Sequence, residues 1–250
     1  MSLVNWIKRL ATDVRELLFP RQCLVCGDTL GVHEQVVCVH CLMQLPYTNY
    51  HGQAENPVVR LFYPNISVVK VNAYMFYNQG SDACNVVLGL KYHGRREVGQ
   101  VMGRMMAIDV LEQGFFEGVE AIVPVPLAKQ RQRRRGYNQS ELLARGVAEV
   151  TGLPVWTDVV ERVVDNGTQT HLSRAERREN VEGIFRLCCP DVIAGKHLLL
   201  VDDVVTTGAT LASCMETLAL AGGVTFSVLC LAVAASTADT PDELPLDLDV

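Results

Sequence analysis

Leu198-Leu199-Leu200-Val201 runs without a polar interruption into Asp202-Asp203-Val204-Val205 and then into Thr206-Thr207-Gly208-Ala209-Thr210. Four consecutive apolar residues suit a parallel strand buried on both faces, and such a strand requires helices on either side of its sheet. The fold class is therefore expected to be α/β. In open sheets of this kind ligands bind beyond the carboxyl ends of the strands, so Asp202 and Asp203 are expected to meet ligand rather than core. Ionised carboxylates only accept hydrogen bonds, which suits an adjacent pair to the two hydroxyl donors of a ribose diol. Thr206, Thr207 and Thr210 add hydroxyls. Gly208 and Ala209 let backbone N–H groups approach closely before a helix expected from about Leu211, and a helix N-terminus holds phosphate. A lone Asp-x-x-Thr would be read as a buried strand with a capping acid. The whole string from Val201 to Thr210, including Val204, instead fits a 5-phosphorylated ribose.

Related nucleotide motifs do not account for this stretch. A phosphate loop of the G-x-x-x-x-G-K-[ST] type is missing: Gly195-Lys196 is followed by His197, and Pro190 stands where the first glycine would be. No G-x-G-x-x-G follows an expected strand.

Strands and helices alternate along the chain. Strands are expected at Val68–Tyr77, Ala121–Val123, near Val155–Val160, at Leu198 onward and at Val224–Ala235. Helices are expected around Asp82–Lys91, Glu97–Glu112, Ser140–Val150 and Leu211–Ala221. That order implies a mostly parallel sheet flanked by helices. Leu3, Ile7, Leu10, Val14 and Leu17 mark an amphipathic helix over residues 1–20, ending before Pro20. A small cysteine-bearing module follows over 21–50, then a linker from Pro46 to Pro57, a larger domain over 60–236 and an acidic tail over 237–250 expected to be disordered.

Two C-x-x-C pairs, Cys23/Cys26 and Cys38/Cys41, are separated by eleven residues. Two such knuckles close a tetrahedral thiolate site, and zinc is the expected ion, in a structural role because four protein ligands leave no open position. His33 and His40 are expected to be bystanders. Two disulfides would need an oxidising compartment, and Lys8, Arg9, Asp13, Arg15 and Glu16 interrupt any secretory leader, so a cytoplasmic location is expected. Cys84, Cys188, Cys189, Cys214 and Cys230 read as packing residues. With 250 residues, 49% of them hydrophobic, the chain fits one sizeable α/β domain plus an appendage. No apolar run reaches the roughly 20 residues of a bilayer span, so no membrane insertion is expected. A net charge of −6 excludes a surface built throughout for nucleic acid, though not a local basic site.

The local basic site is Lys129-Gln130-Arg131-Gln132-Arg133-Arg134-Arg135-Gly136, expected as a loop past a strand end. Arginine forks at Arg131, Arg133 and Arg135 suit diphosphate oxygens. A solvated charge run and a single-stranded nucleic-acid patch with Tyr137 as stacking platform are the alternatives. A second polar stretch, Gln169 to Asn180, has capping-box spacing at Ser173 and Glu176 and reads either as a charged surface helix or as a lid over the ligand.

The Asp202–Thr210 string closely resembles the diphosphosugar-binding motif of type I phosphoribosyltransferases. Together with the four cysteines, Leu90-Lys91-Tyr92-His93-Gly94, Val123-Pro124-Val125-Pro126-Leu127, Arg135-Gly136-Tyr137-Asn138-Gln139, and Gln169-Thr170-x-Leu172-Ser173 with Arg177–Asn180, it makes the chain resemble the ComF family over most of its length. The resemblance implies a type I phosphoribosyltransferase fold with an N-terminal zinc ribbon, binding 5-phosphoribosyl 1-diphosphate with Mg2+. It also implies a pyrophosphate loop starting at Pro124–Leu127 and so including Pro126, a flexible loop including Gln169 and Arg177, and Lys91 in a hood. Two functional readings stay open: transfer of phosphoribosyl to an acceptor that the motifs do not identify, or a sugar-phosphate-sensing module contacting single-stranded DNA or a DNA-uptake partner.

Overall fold

The computed structural model describes residues 20–53, 55–62, 66, 68–78, 80–81, 83–92, 95–164 and 183–235. The expected N-terminal helix, the Gln169–Asn180 stretch and the acidic tail lie outside the described residues.

Four strands, β1 (Val68–Tyr77), β2 (Ala121–Pro124), β5 (His197–Val205) and β6 (Thr225–Ala234), form an all-parallel sheet in the order β1-β6-β5-β2. Two short strands, β3 (Val160–Arg162) and β4 (Phe185–Leu187), pair antiparallel in a separate ribbon. The alternation of β5 side chains decides the layering. Leu199 and Val201 pack into a core with helices α3 (Cys84–Lys91), α4 (Arg96–Leu111) and α6 (Gln139–Thr151). Leu198 and Leu200 pack on the opposite face with α2 (Pro57–Arg60) and α8 (Ala209–Ala219), while β3 and β4 add Val160 and Phe185. All four β5 residues are fully buried, which is why the strand tolerates no polar interruption.

On the first face α4 and α6 cross at near-contact distance. A Cβ on Gly103 would overlap the carbonyl oxygen of Leu143, and one on Gly146 would overlap that of Gln100. Side-chain-free positions on both helices let the backbones meet, and the crossing fixes where α6 begins.

The cysteine module packs against this same helical layer. Cys23, Leu30, Val36, Val37, Cys41 and Leu45 share a core with Val86, Val87 and Leu90 of α3. Leu24 sits over Gly89 so closely that an added Cβ would lie 3.0 Å from its methyl carbons. Arg104 of α4 donates to Gln35 Oε1 at 2.6 Å and to Glu149 Oε2 at 2.6 Å, joining the module to α4 and α6.

Three sequence expectations need correction. The Pro46–Pro57 linker is built into the sheet: Phe76 N donates to Pro46 O, Thr48 N to Tyr74 O, and Tyr47 bridges Met75 antiparallel. Asn56 is fully buried, donating to Val71 O while accepting from Val58 N and Val59 N to cap α2. The expected Val155–Val160 strand is a single parallel bridge from Val155 to Ile122, with β3 starting only at Val160. The basic stretch is a helix, α5 (Lys129–Arg135), closed by Gly136 in the left-handed conformation. Among the described residues no helix is long and apolar enough to cross a membrane.

Candidate functional site

A cavity of about 380 Å³ opens at the carboxyl ends of β2 and β5, within the usual range of about 300–1,000 Å³ for small-molecule sites. Asp202, Asp203, Val204, Thr206 and Thr210 line one side; Pro126, Arg131 and Arg135 line another. These eight expected residues come together. Val201 does not join them, being fully buried in the strand. Thr207 and Gly208 form the turn into α8 and Ala209 begins the helix, none of the three lining the cavity. Gly208 has φ 74°, and a Cβ there would come within 3.1 Å of Leu61. Its glycine therefore meets both a left-handed backbone and a close neighbour.

Helical geometry sorts the basic residues. Arg131 and Arg135, one turn apart on α5, face the cavity, whereas Arg133 and Arg134 are exposed away from it and Lys129 pairs with Glu161 at 3.1 Å. Arg133 is thus not part of the cavity, because α5 is a helix rather than a loop. Tyr137 is buried and donates to Leu90 O at 2.9 Å with Arg96 over its ring, so it offers no stacking face. Gln169 and Arg177 lie outside the described residues.

The two carboxylates differ. Asp202 Oδ1 accepts from Ser140 Oγ and from Asp203 N, both at 2.9 Å. Burial first, and the neighbouring Asp203 charge second, push its pKa up to about 7 despite those donors. Asp203 is better solvated, accepts from Val204 N at 2.7 Å and pairs with Lys91 at 3.5 Å. Opposite charges therefore face one another across a cleft that also receives the start of α6, through Asn138, Gln139 and Ser140, and the end of α3, through Leu88, Lys91 and Tyr92. Arg135 lies over the Tyr92 ring at 5.6 Å. Sequence reasoning placed Gln139 in a resemblance motif and Ser140 at a helix start, but assigned neither to the cavity that both line. The available signal was a run of polar residues placed at a helix start whose next apolar positions are core.

At the other end of the chain, the Sγ atoms of Cys23, Cys26, Cys38 and Cys41 all lie within 4.8 Å of one another. Cys26 and Cys38 are 3.8 Å apart, which equals the edge of a tetrahedron with Zn–S bonds of about 2.3 Å. Cys23 Sγ accepts from Val25 N and Cys38 N, and Cys38 Sγ from Cys41 N. Burial works against a Cys23 thiolate, yet these and other donors outweigh it and lower its pKa to about 7. The donor set and spacing fit a structural tetrahedral metal; His33 and His40 are not among the clustered groups.

No family model matches the chain. Curated relatives include a DNA utilization protein YhgH from Salmonella typhi, 38% identical over 145 residues, covering 57% of this chain and 63% of the relative. Competence protein F from Haemophilus influenzae is 43% identical over 93 residues (37% and 41% of the two chains), and competence protein ComFC from Bacillus subtilis 29% over 94 residues (36% and 34%). The chain thus spans less than two thirds of the length of these relatives. The ComF resemblance carried by its motifs is borne out by homologues bearing competence and DNA-utilization names. Solved structures matching part of the fold include glutamine phosphoribosylpyrophosphate amidotransferase from B. subtilis, complexed with ADP and GMP, at 21% identity and TM-score 0.40, covering 57% of this chain and 30% of that one. Another is the HGPRT-ase of Leishmania tarentolae with GMP, at 16% identity and TM-score 0.34, covering 60% and 74%.

Proposed function

We propose that residues 60–236 form a phosphoribosyltransferase-type domain, carried beside a zinc ribbon over 21–50, that binds 5-phosphoribosyl 1-diphosphate with Mg2+ and transfers the phosphoribosyl group to an acceptor. One observation carries this reading: a carboxylate pair and two arginines face the same cavity at the carboxyl ends of parallel strands. Asp202 and Asp203 accept the ribose hydroxyls, and the turn through Thr206 to Thr210 holds the 5-phosphate at the start of α8. Arg131 and Arg135, with Pro126 shaping the turn before them, hold the diphosphate. The all-oxygen donors Asp202 and Asp203 suit Mg2+, which would screen the diphosphate charge when bound. No side chain needs to act as nucleophile. The cavity positions the sugar while the guanidinium groups stabilise charge building on the departing diphosphate.

Calorimetry tests the assignment. Wild type is expected to bind 5-phosphoribosyl 1-diphosphate with Mg2+, and the Asp202→Asn/Asp203→Asn double variant to lose that binding. Equal binding by both sinks the pocket assignment. Release of pyrophosphate on adding candidate bases or amines reports transfer.

A second reading is favoured by the outward face of α5, where Arg133 and Arg134 are exposed and turned from the cavity. In this reading the cavity senses the sugar phosphate without catalysis while α5 contacts single-stranded DNA. Salt-sensitive oligonucleotide binding that disappears in Arg133→Gln/Arg134→Gln, with sugar-phosphate binding retained, distinguishes it.

A further inference from the structure

Most polar side chains of the cavity are engaged within the protein. Ser140 holds Asp202, Asn138 donates to Val125 O and accepts from Ser140 N, and Asp203 takes Val204 N and Lys91. Gln139 is different. It is 2% exposed, it lines the cavity, and its Nε2 has no hydrogen-bond partner. The neighbouring Arg135 Nε, lining the same cavity, is likewise buried without one. An amide nitrogen only donates, so a buried orphaned one is destabilising unless an acceptor arrives from outside the protein.

The position of Gln139 identifies that acceptor. It is the first residue of α6, a 13-residue helix whose N-terminal end carries positive partial charge. Arg131 and Arg135 approach from α5. Its sequence neighbour Ser140 is bonded to Asp202, and both Gln139 and Asp202 line the cavity. A neutral amide can donate to an anion beside it.

We infer that Gln139 is a ligand-binding residue whose Nε2 donates to a phosphate oxygen of a diphosphate group seated between Arg131, Arg135 and the N-terminus of α6. This inference rests on the phosphoribosyl reading above and adds to it a specific diphosphate-recognising residue. The 5-phosphate end, at Thr206 and Thr210, does not depend on Gln139. Recognition of the two ends of the ligand is therefore separable.

The test measures binding of Mg2+ with pyrophosphate, ribose 5-phosphate and 5-phosphoribosyl 1-diphosphate to wild type, Gln139→Met and Gln139→Glu, alongside urea melts of the unliganded proteins. Gln139→Met replaces an orphaned donor by an apolar group of similar shape, so its stability is expected to match or exceed wild type. Its affinity for pyrophosphate and for 5-phosphoribosyl 1-diphosphate is expected to fall about tenfold or more, the scale of a hydrogen bond to a charged group, with ribose 5-phosphate unchanged. Gln139→Glu is expected to lose more, by repulsion. Unchanged pyrophosphate affinity in both variants overturns the inference, and so does an equal loss of ribose 5-phosphate. Wild type that binds pyrophosphate in a Gln139-dependent way but neither sugar phosphate overturns the phosphoribosyl reading and upholds the diphosphate site. Wild type that binds none of the three overturns both.

Discussion

Asp202→Asn should make the protein more stable while disabling its site. The asparagine Oδ1 can keep accepting from Ser140 Oγ and Asp203 N, so the hydrogen-bonded frame survives. What disappears is a buried charge. Burial and Asp203 raise the Asp202 pKa from the ordinary 3.8 to about 7. The folded state therefore keeps a proton between about pH 4 and 7 that the unfolded chain has already released. Unfolding free energy accordingly falls as pH rises through that window and stays low above it. At about 1.36 kcal/mol per unit, the ceiling on this loss is about 4 kcal/mol. The variant carries no such penalty. It is expected to match wild type near pH 4 and to exceed it by as much as about 4 kcal/mol at pH 8, on the order of 10 °C in melting temperature for a domain of this size. Urea melts of both proteins at half-unit steps from pH 4 to 8 measure the difference directly. Parallel pH curves, or a variant less stable than wild type at pH 8, would refute the account of Asp202 as a strained acid.

Two further perturbations probe the scaffold. Purified protein is expected to carry one equivalent of zinc by mass spectrometry, and a strong chelator is expected to expose four thiols and lower the melting temperature, since metal binding contributes folding energy to a module with so small a core; protein isolated metal-free with unchanged stability contradicts the ribbon. Gly146→Ala, which on helix propensity alone would gain about 1 kcal/mol, is expected to destabilise by about 1–3 kcal/mol or more, because its Cβ meets the Gln100 carbonyl; a urea midpoint at or above wild type rules out the close crossing.

The sequence was most legible where one element suffices. β1 spans the expected Val68–Tyr77, and α4 and α6 shift by only a residue from their expected bounds, because hydrophobic periodicity reports a residue's own strand or helix. The basic stretch misled because charge dominated the reading. Lysine and arginine are good helix formers, and Gly136 supplied the left-handed stop. Pro46–Pro57 misled for a different reason: its polar residues pair with the flank of β1, and nothing local marks a partner so distant in sequence. The same limit divides the cavity. Asp202, Asp203, Thr206 and Thr210 are contiguous and readable as a string. Ser140 and Gln139 matter only because the α4 crossing sets α6 against β5.

The strap through Pro46, Tyr47 and Thr48 has a consequence for self-association. It occupies the outer flank of β1 near Tyr74 and Phe76, while Asn56 takes the Val71 carbonyl. On the opposite flank, Ile122 N donates to Pro154 O and Ile122 O accepts from Trp156 N. A bare strand flank is a template on which another chain can add itself. Both flanks of this sheet are partly occupied by the chain itself, one of them by an antiparallel segment that breaks the parallel pattern a copy would need to continue. Neighbouring molecules are thus discouraged from growing a shared sheet across either flank.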